Sequence, residues 1–235
     1  MIAESNGKAL NPKDIVLIGF PFDEYSSYLR GPAEAPPLII EAMRSDSANS
    51  FTEQLEDLSQ VERLKWLGNA ELEEYWDIEK FTAQILDKEA LPFSLGGDHS
   101  VTYPIMRAMA NKHPNLSILH FDSHADLYDE LEGNRYSHAC PFARIMEEGL
   151  ASNLTQVGIR TLTQHQAEQA ERFGVTVNTM KNRHQLKALD IQGPVYLSFD
   201  MDVLDPAFAP GVSHHEPGGY SNREILDLIQ SLNLS

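Results

Sequence analysis

The sequence predicts an α/β fold of three layers, helices on both faces of an open, mostly parallel sheet. Short apolar runs rich in β-forming residues recur along the 235 residues, and longer stretches of helical periodicity separate them. The runs are almost continuously apolar rather than alternating, as expected of strands covered on both faces. A hydrophobic content of 42% is enough for a sizeable core, and no repeat, low-complexity tract or Pro/Gly-rich linker divides the chain. Residues 1–235 are therefore expected to form one domain.

The first strand is expected at Ile15–Phe20, followed by Gly31-Pro32 and a helix over Ala35–Arg44. Residues 45–69 are polar and broken by Ser45-Asp46-Ser47 and Glu56-Asp57, which suits a surface excursion with at most short structure. Helix Glu74–Lys88, strand Leu91–Leu95, helix Val101–Asn111 and strand Leu116–Phe121 come next. Then come helix His138–Glu148, strand Leu154–Ile159, helix Gln164–Phe173 and strand Val195–Phe199. The last helix, Ser221–Leu232, opens with a capping box of Ser221 and Glu224 and keeps Ile225, Leu228, Ile229 and Leu232 on one face. A parallel fold places a further strand after such a helix. The chain is expected to be truncated, with a C-terminal strand and helix missing.

The 35 acidic against 18 basic residues give a net charge of -17, which repels nucleic acid. Cys140 is the single cysteine, so no disulfide framework exists and a reducing, cytoplasmic setting is expected. Met1–Asp14 has neither an apolar stretch nor an arginine run, and no targeting segment is expected there. The longest clean apolar run, Ile15–Phe20, is far short of the ~20 residues of a membrane span, so no membrane partner is expected.

Chemistry concentrates in three segments, each just after an apolar run, where open α/β sheets bind ligands: Gly96-Gly97-Asp98-His99, Asp122-Ser123-His124-Ala125-Asp126 and Asp200-Met201-Asp202. In extended chain, residues i, i+2 and i+4 point the same way, so Asp122, His124 and Asp126 can converge, as can Asp200 and Asp202. One aspartate after a strand is more often a cap or turn residue than a ligand. Three such clusters on one sheet are hard to obtain from capping, and four carboxylates without a cation would repel one another. Four carboxylates and two imidazoles exceed what one zinc ion takes, and the oxygen-rich mixture suits a pair of manganese ions. Two metals ~3.5–4 Å apart can lower the pKa of a water between them, which is hydrolytic chemistry.

The motifs Leu95-Gly96-Gly97-Asp98-His99-Ser100, His120-Phe121-Asp122-Ser123-His124-Ala125-Asp126 and Ser198-Phe199-Asp200-Met201-Asp202-Val203-Leu204-Asp205-Pro206 resemble the ureohydrolase family of arginases and agmatinases, over nearly the whole chain. The resemblance implies an arginase-like fold and two Mn2+ ions. His99, Asp122, Asp126 and Asp200 would hold one; Asp122, His124, Asp200 and Asp202 would hold the other. It also implies cleavage of a small guanidino substrate to urea and an amine, and a homo-oligomer, trimer or hexamer.

Glu132–His138 resembles the family's substrate loop, which makes His138 the candidate proton shuttle, although spacing alone suits an ordinary residue opening a helix equally well. Asp126 is the candidate for passing a proton to the leaving amine. Asn134, Arg135 and Ser137 are candidates for the substrate tail, against the plainer reading of a polar loop. A thiol mechanism for Cys140 is discounted, since a lone helical cysteine is usually an apolar filler. Ala209–Gly219 resembles the active-site rim of the agmatinase-like branch, which includes plant-type arginases. His214-His215 is read there as part of a shaped loop.

The sequence departs from the family in two places. Ser123 stands where alanine is usual, adding a possible hydrogen bond, and the chain is expected to end before the glutamate that the family carries on its next strand. Agmatine, giving putrescine and urea, is the preferred substrate on the rim motif, and arginine, giving ornithine and urea, is the alternative. A catalytically impaired metal-binding fragment is a second class of answer. A single-zinc deacetylase-like enzyme is a third, which the six-ligand count disfavours.

Overall fold

A computed structural model describes residues 10–185 and 193–232. Residues 1–9, which hold most of the segment read as free of targeting signals, and the chain end at 233–235 lie outside the described residues. The fold is α/β, with the strands of its two sheets paired in parallel, arranged as two compact units. One comprises the described residues to Ser26 with Arg30–Lys112, the other Ser27–Leu29 and the described residues from His113 on.

The first unit contains β1 (Ile15–Gly19), α1 (Ala35–Arg44), β2 (Leu64–Asn69), α2 (Asp77–Leu86), β3 (Leu91–Leu95) and α3 (Thr102–Lys112). Its sheet has the order β2-β1-β3. Val16, Leu17 and Ile18 of the central strand are all buried, the signature of cover on both faces. Leu17, Ile40 and Trp66 form a small core that ties α1 to the sheet. β2 corrects the reading of residues 45–69 as an excursion: it pairs in parallel with β1, Ile15 opposite Leu64 and Leu17 opposite Trp66. It escaped the pattern because Lys65 and Asn69 interrupt its apolar residues.

The second unit contains β4 (Ser117–Phe121), α4 (Pro141–Glu147), β5 (Asn153–Ile159), α5 (Gln164–Phe173), β6 (Thr176–Thr179), β7 (Val195–Phe199) and α6 (Asn222–Gln230). Its sheet order is β6-β5-β4-β7. β6, also unforeseen, is a short polar edge strand. From β4 the chain winds outward through β5 and β6, then returns to the other side of β4 as β7. β4 and β7 thus flank a topological switch point, and ligands bind at the carboxyl ends of the strands beside such a point. Ile225, Leu228, Ile229 and Leu232 pack into a core with Leu119, Phe121, Val157 and Val203, as the helical spacing required. Ser221 and Glu224 form the expected capping box.

Among the described residues, no helix is long and apolar enough to cross a membrane.

Candidate metal centre and proton-transfer site

Asp122 follows β4 directly and is buried. Its carboxylate accepts the His124 backbone N–H at 2.6 Å on Oδ1 and lies 2.8 Å from the His120 Nε2 on Oδ2. His120, inside β4, is itself held by Gln156, whose Nε2 is 3.1 Å from the ring Nδ1, and its ring lies 4.0 Å from that of Phe142, tilted by 32°. From β7, Asp200 accepts the Asp202 N–H at 2.9 Å and so caps the turn Met201–Val203. That turn delivers Asp202, whose Oδ2 lies 2.9 Å from the His124 Nδ1, with Asp122 Oδ1 3.4 Å from the same nitrogen. Donor atoms of Asp122, His124 and Asp202 all lie within 4.8 Å of one another, close enough to hold a cation.

Ser123, the departure from the usual alanine, donates its N–H and hydroxyl to Asp202 Oδ1 at 3.0 and 2.8 Å. The hydrogen bond anticipated there clamps a carboxylate of the cluster. Gly158 of β5 has a φ of 101°, and a Cβ there would fall 2.8 Å from the Asp122 carbonyl oxygen and 2.6 Å from Val203 Cγ2, so only glycine fits beneath the site. Arg160 donates to the carbonyls of Gly158, Asp202, Val203, Leu204 and Glu216, at 2.6 Å to Asp202. Its guanidinium thereby joins β5, the Met201–Val203 turn and the rim loop behind the carboxylates.

The electrostatics of the cluster favour a cation. Burial holds Asp202 well above the usual carboxylate range, and the charges of Asp200 and Asp122 add to the effect. Burial works to lower the His124 ring, but its hydrogen bonds to Asp122 and Asp202 outweigh that and hold it up at about 11. Left to themselves the groups neutralise their crowding by keeping protons, which a divalent ion would displace. Carboxylate oxygens with imidazole nitrogen are a donor set that manganese accepts.

Asp126 is buried where the chain turns away, with a left-handed φ of 49°, so the simple alternation from Asp122 ends there. It lies close enough to act electrostatically on Cys140 and His214. His99 belongs to the first unit, where it opens a 3-10 turn capped by Asp98. Asp98 also accepts from the Tyr25 N–H and the Ser26 hydroxyl, and Gly97 packs so closely on Phe22 that a Cβ would sit 1.9 Å from its carbonyl oxygen.

His138 lies near this cluster through intervening rings. Its Nε2 is 2.8 Å from the Ser27 hydroxyl, and its ring stacks on His214 at 5.9 Å and 26°. His214 in turn meets His124 edge-on at 5.5 Å. Burial lowers the His214 pKa, as do the neighbouring His124 and His138. His215 bonds the Pro210 carbonyl of its own loop at 3.1 Å, whereas the His214 ring lies against that of His124. Sequence reasoning read His214 as part of the loop and did not single out His120, Gln156, Arg160 or Gly158. Of those four only His120 carried a signal, two residues before Asp122 in the strand alternation.

Contacts of the three substrate candidates include ones within their own loop and with α4. Arg135 pairs with Asp129 at 3.0 Å and Glu147 at 2.8 Å, and Asn134 accepts the Tyr136 N–H at 2.9 Å. Ser137 is buried, its hydroxyl 3.4 Å from the Ala139 N–H. Cys140 is buried, and burial pushes its thiol up to about 12, which fits an apolar filler.

The family model described as "Arginase family" matches residues 13–234. The chain belongs to the arginase family. It is 44% identical over 237 residues to "Arginase 1, mitochondrial" of Oryza sativa subsp. indica, an alignment covering 92% of this chain and 69% of the relative. It is 33% identical over 231 residues to the agmatinase of Bacillus anthracis, covering 93% and 78%. The solved arginase from Medicago truncatula superposes with a TM-score of 0.87 at 38% identity, covering 93% of this chain and 75% of that one. The arginase-like α/β fold expected from the motifs is thereby established, and with it a hydrolase of this family.

Proposed function

We propose that this arginase-family chain cleaves a small guanidino compound to urea and an amine at the cluster of Asp122, His124 and Asp202. The observation that carries the reading is the convergence of those donor atoms at the β4/β7 switch point. Arginine is favoured over agmatine because identity to the rice arginase is 44%, against 33% to the bacterial agmatinase.

Two Mn2+ ions are the proposed cofactors. Asp122, His124, Asp126, Asp200 and Asp202 are their proposed ligands, and His99 joins them on the likeness of its motif alone. When bound, the metals supply Lewis acidity and activate water at neutral pH. The chain's own groups do the rest. Ser123 and Asp200 hold Asp202 in place, and His120 orients Asp122. Asp126 would take the proton that the attacking water gives up and pass it to the departing amine, and His138 would exchange protons between the site and solvent. Asn134, Arg135 and Ser137 are proposed to shape the end that receives the substrate tail. A trimer or hexamer, and a cytoplasmic location resting on the lone Cys140, complete the proposal.

Urea release from arginine and from agmatine by the manganese-loaded protein tests the reading. Urea from arginine at the higher kcat/KM is the expected result. Faster turnover of agmatine would overturn the substrate, and no urea from either with manganese bound would leave a metal-binding protein without this activity.

A further inference from the structure

We infer that Ser27 and His214 are positioning residues for His138, one fixing the edge of its imidazole and the other its face. The inference rests on the proposed role of His138 in moving protons. Rotation of a histidine ring about its second torsion has a broad well, so a ring that must present one nitrogen inward needs contacts from outside its own side chain. Two are present. Ser27, in the tripeptide Ser27–Leu29 that groups with the second unit, places its hydroxyl 2.8 Å from His138 Nε2. His214 stacks on the ring at 5.9 Å and 26°. His214 is itself anchored, with its Nδ1 2.9 Å from the Ser213 hydroxyl and Tyr28 packed on it at 5.7 Å.

The chemistry of the partners suits a group that must change state. A serine hydroxyl donates to a bare ring nitrogen and accepts from a protonated one, so the Ser27 contact persists through both halves of a proton transfer. A carboxylate in its place would favour the charged ring. A stacked ring likewise restrains tilt without demanding either state. His214 also touches His124, which places the restraint beside the metal cluster and lets rim and shuttle keep a fixed spacing.

Ser27→Ala should lower kcat about fivefold with KM unchanged, the rate equivalent of about one hydrogen bond. Ser27→Thr should recover most of the loss, and His214→Phe, which keeps a flat ring, should lose less than His214→Ala at equal manganese content. In a His138→Ala background, neither Ser27→Ala nor His214→Ala should reduce the rate further. Losses that add in that background, or that appear in KM alone, would overturn the inference. Nitrogen-15 NMR of the histidine rings in the metal-free full chain supplies a readout independent of turnover. Ser27→Ala should shift the His138 Nε2 resonance and leave that of His120 in place, and an unmoved His138 signal would sink the inference. If the parent protein releases no urea, the proposed function fails while the ring spectra still decide the positioning role.

Discussion

At His124 and Asp202 the folded chain has placed two groups that their surroundings push toward their protonated forms. The His124 ring is held up at about 11, so at pH 7 it carries a proton in the metal-free protein, and raised Asp202 favours its protonated form. A metal ligand must be a neutral imidazole or a carboxylate anion, so the sign is fixed: binding expels protons and affinity rises with pH. Manganese titrated calorimetrically at pH 7, in buffers of different ionisation enthalpy, should release protons. No dependence on the buffer would mean that these residues are not the ligands. The identities of Asp122, His124 and Asp202 were legible because carboxylates and imidazoles directly after apolar strands are rarely structural in such number. Arg160 was not, because an arginine that serves five carbonyls looks, in sequence, like any surface cation.

Elements carry these residues, and their legibility follows from how regular the apolar pattern of each is. α1 and α5 match the sequence-predicted Ala35–Arg44 and Gln164–Phe173 residue for residue, with Thr163 and Gln166 closing a capping box on α5 and Gly174 ending it at a φ of 65°. β2 and β6 were illegible because polar residues break their short apolar patterns, Lys65 and Asn69 in β2 and Thr176, Asn178 and Thr179 in β6. The exposed Ser221 capping box of α6 should be worth about 1 kcal/mol, so Ser221→Ala is expected to lower the melting temperature by about 2–4 °C without altering metal content. Gly158→Ala tests the opposite case, a close approach inside β5. The left-handed φ and the collision with the Asp122 carbonyl predict about 2–5 kcal/mol of destabilisation in urea unfolding. Because the displaced backbone carries Asp122, manganese affinity should fall in Gly158→Ala as well. Parent-like stability and affinity would show that β5 yields at no cost and that Gly158 is not a support for the site.

For the whole molecule, the alternation of strand and helix was plain in the sequence, whereas the pairing of strands into β2-β1-β3 and β6-β5-β4-β7 was not. A local apolar run says that a strand is buried and nothing about which strand lies beside it. The net charge of -17 was equally plain, and it bears on how any cation affects stability, since every divalent ion screens self-repulsion to some degree. A specific site adds a term that screening cannot supply. Metal bound only by the folded chain stabilises it by about 2.7 kcal/mol when present at a hundredfold excess over Kd. Manganese, which accepts imidazole as well as carboxylate, should therefore raise the melting temperature more than equimolar magnesium, which prefers oxygen ligands and keeps its waters. Asp122→Ala should abolish the difference between the two metals while leaving the small common rise, and hydrogen exchange should slow most at residues 122–126 and 200–204. Equal shifts for both metals, unchanged by Asp122→Ala, would assign the whole effect to charge screening and leave the Asp122, His124 and Asp202 cluster without a metal.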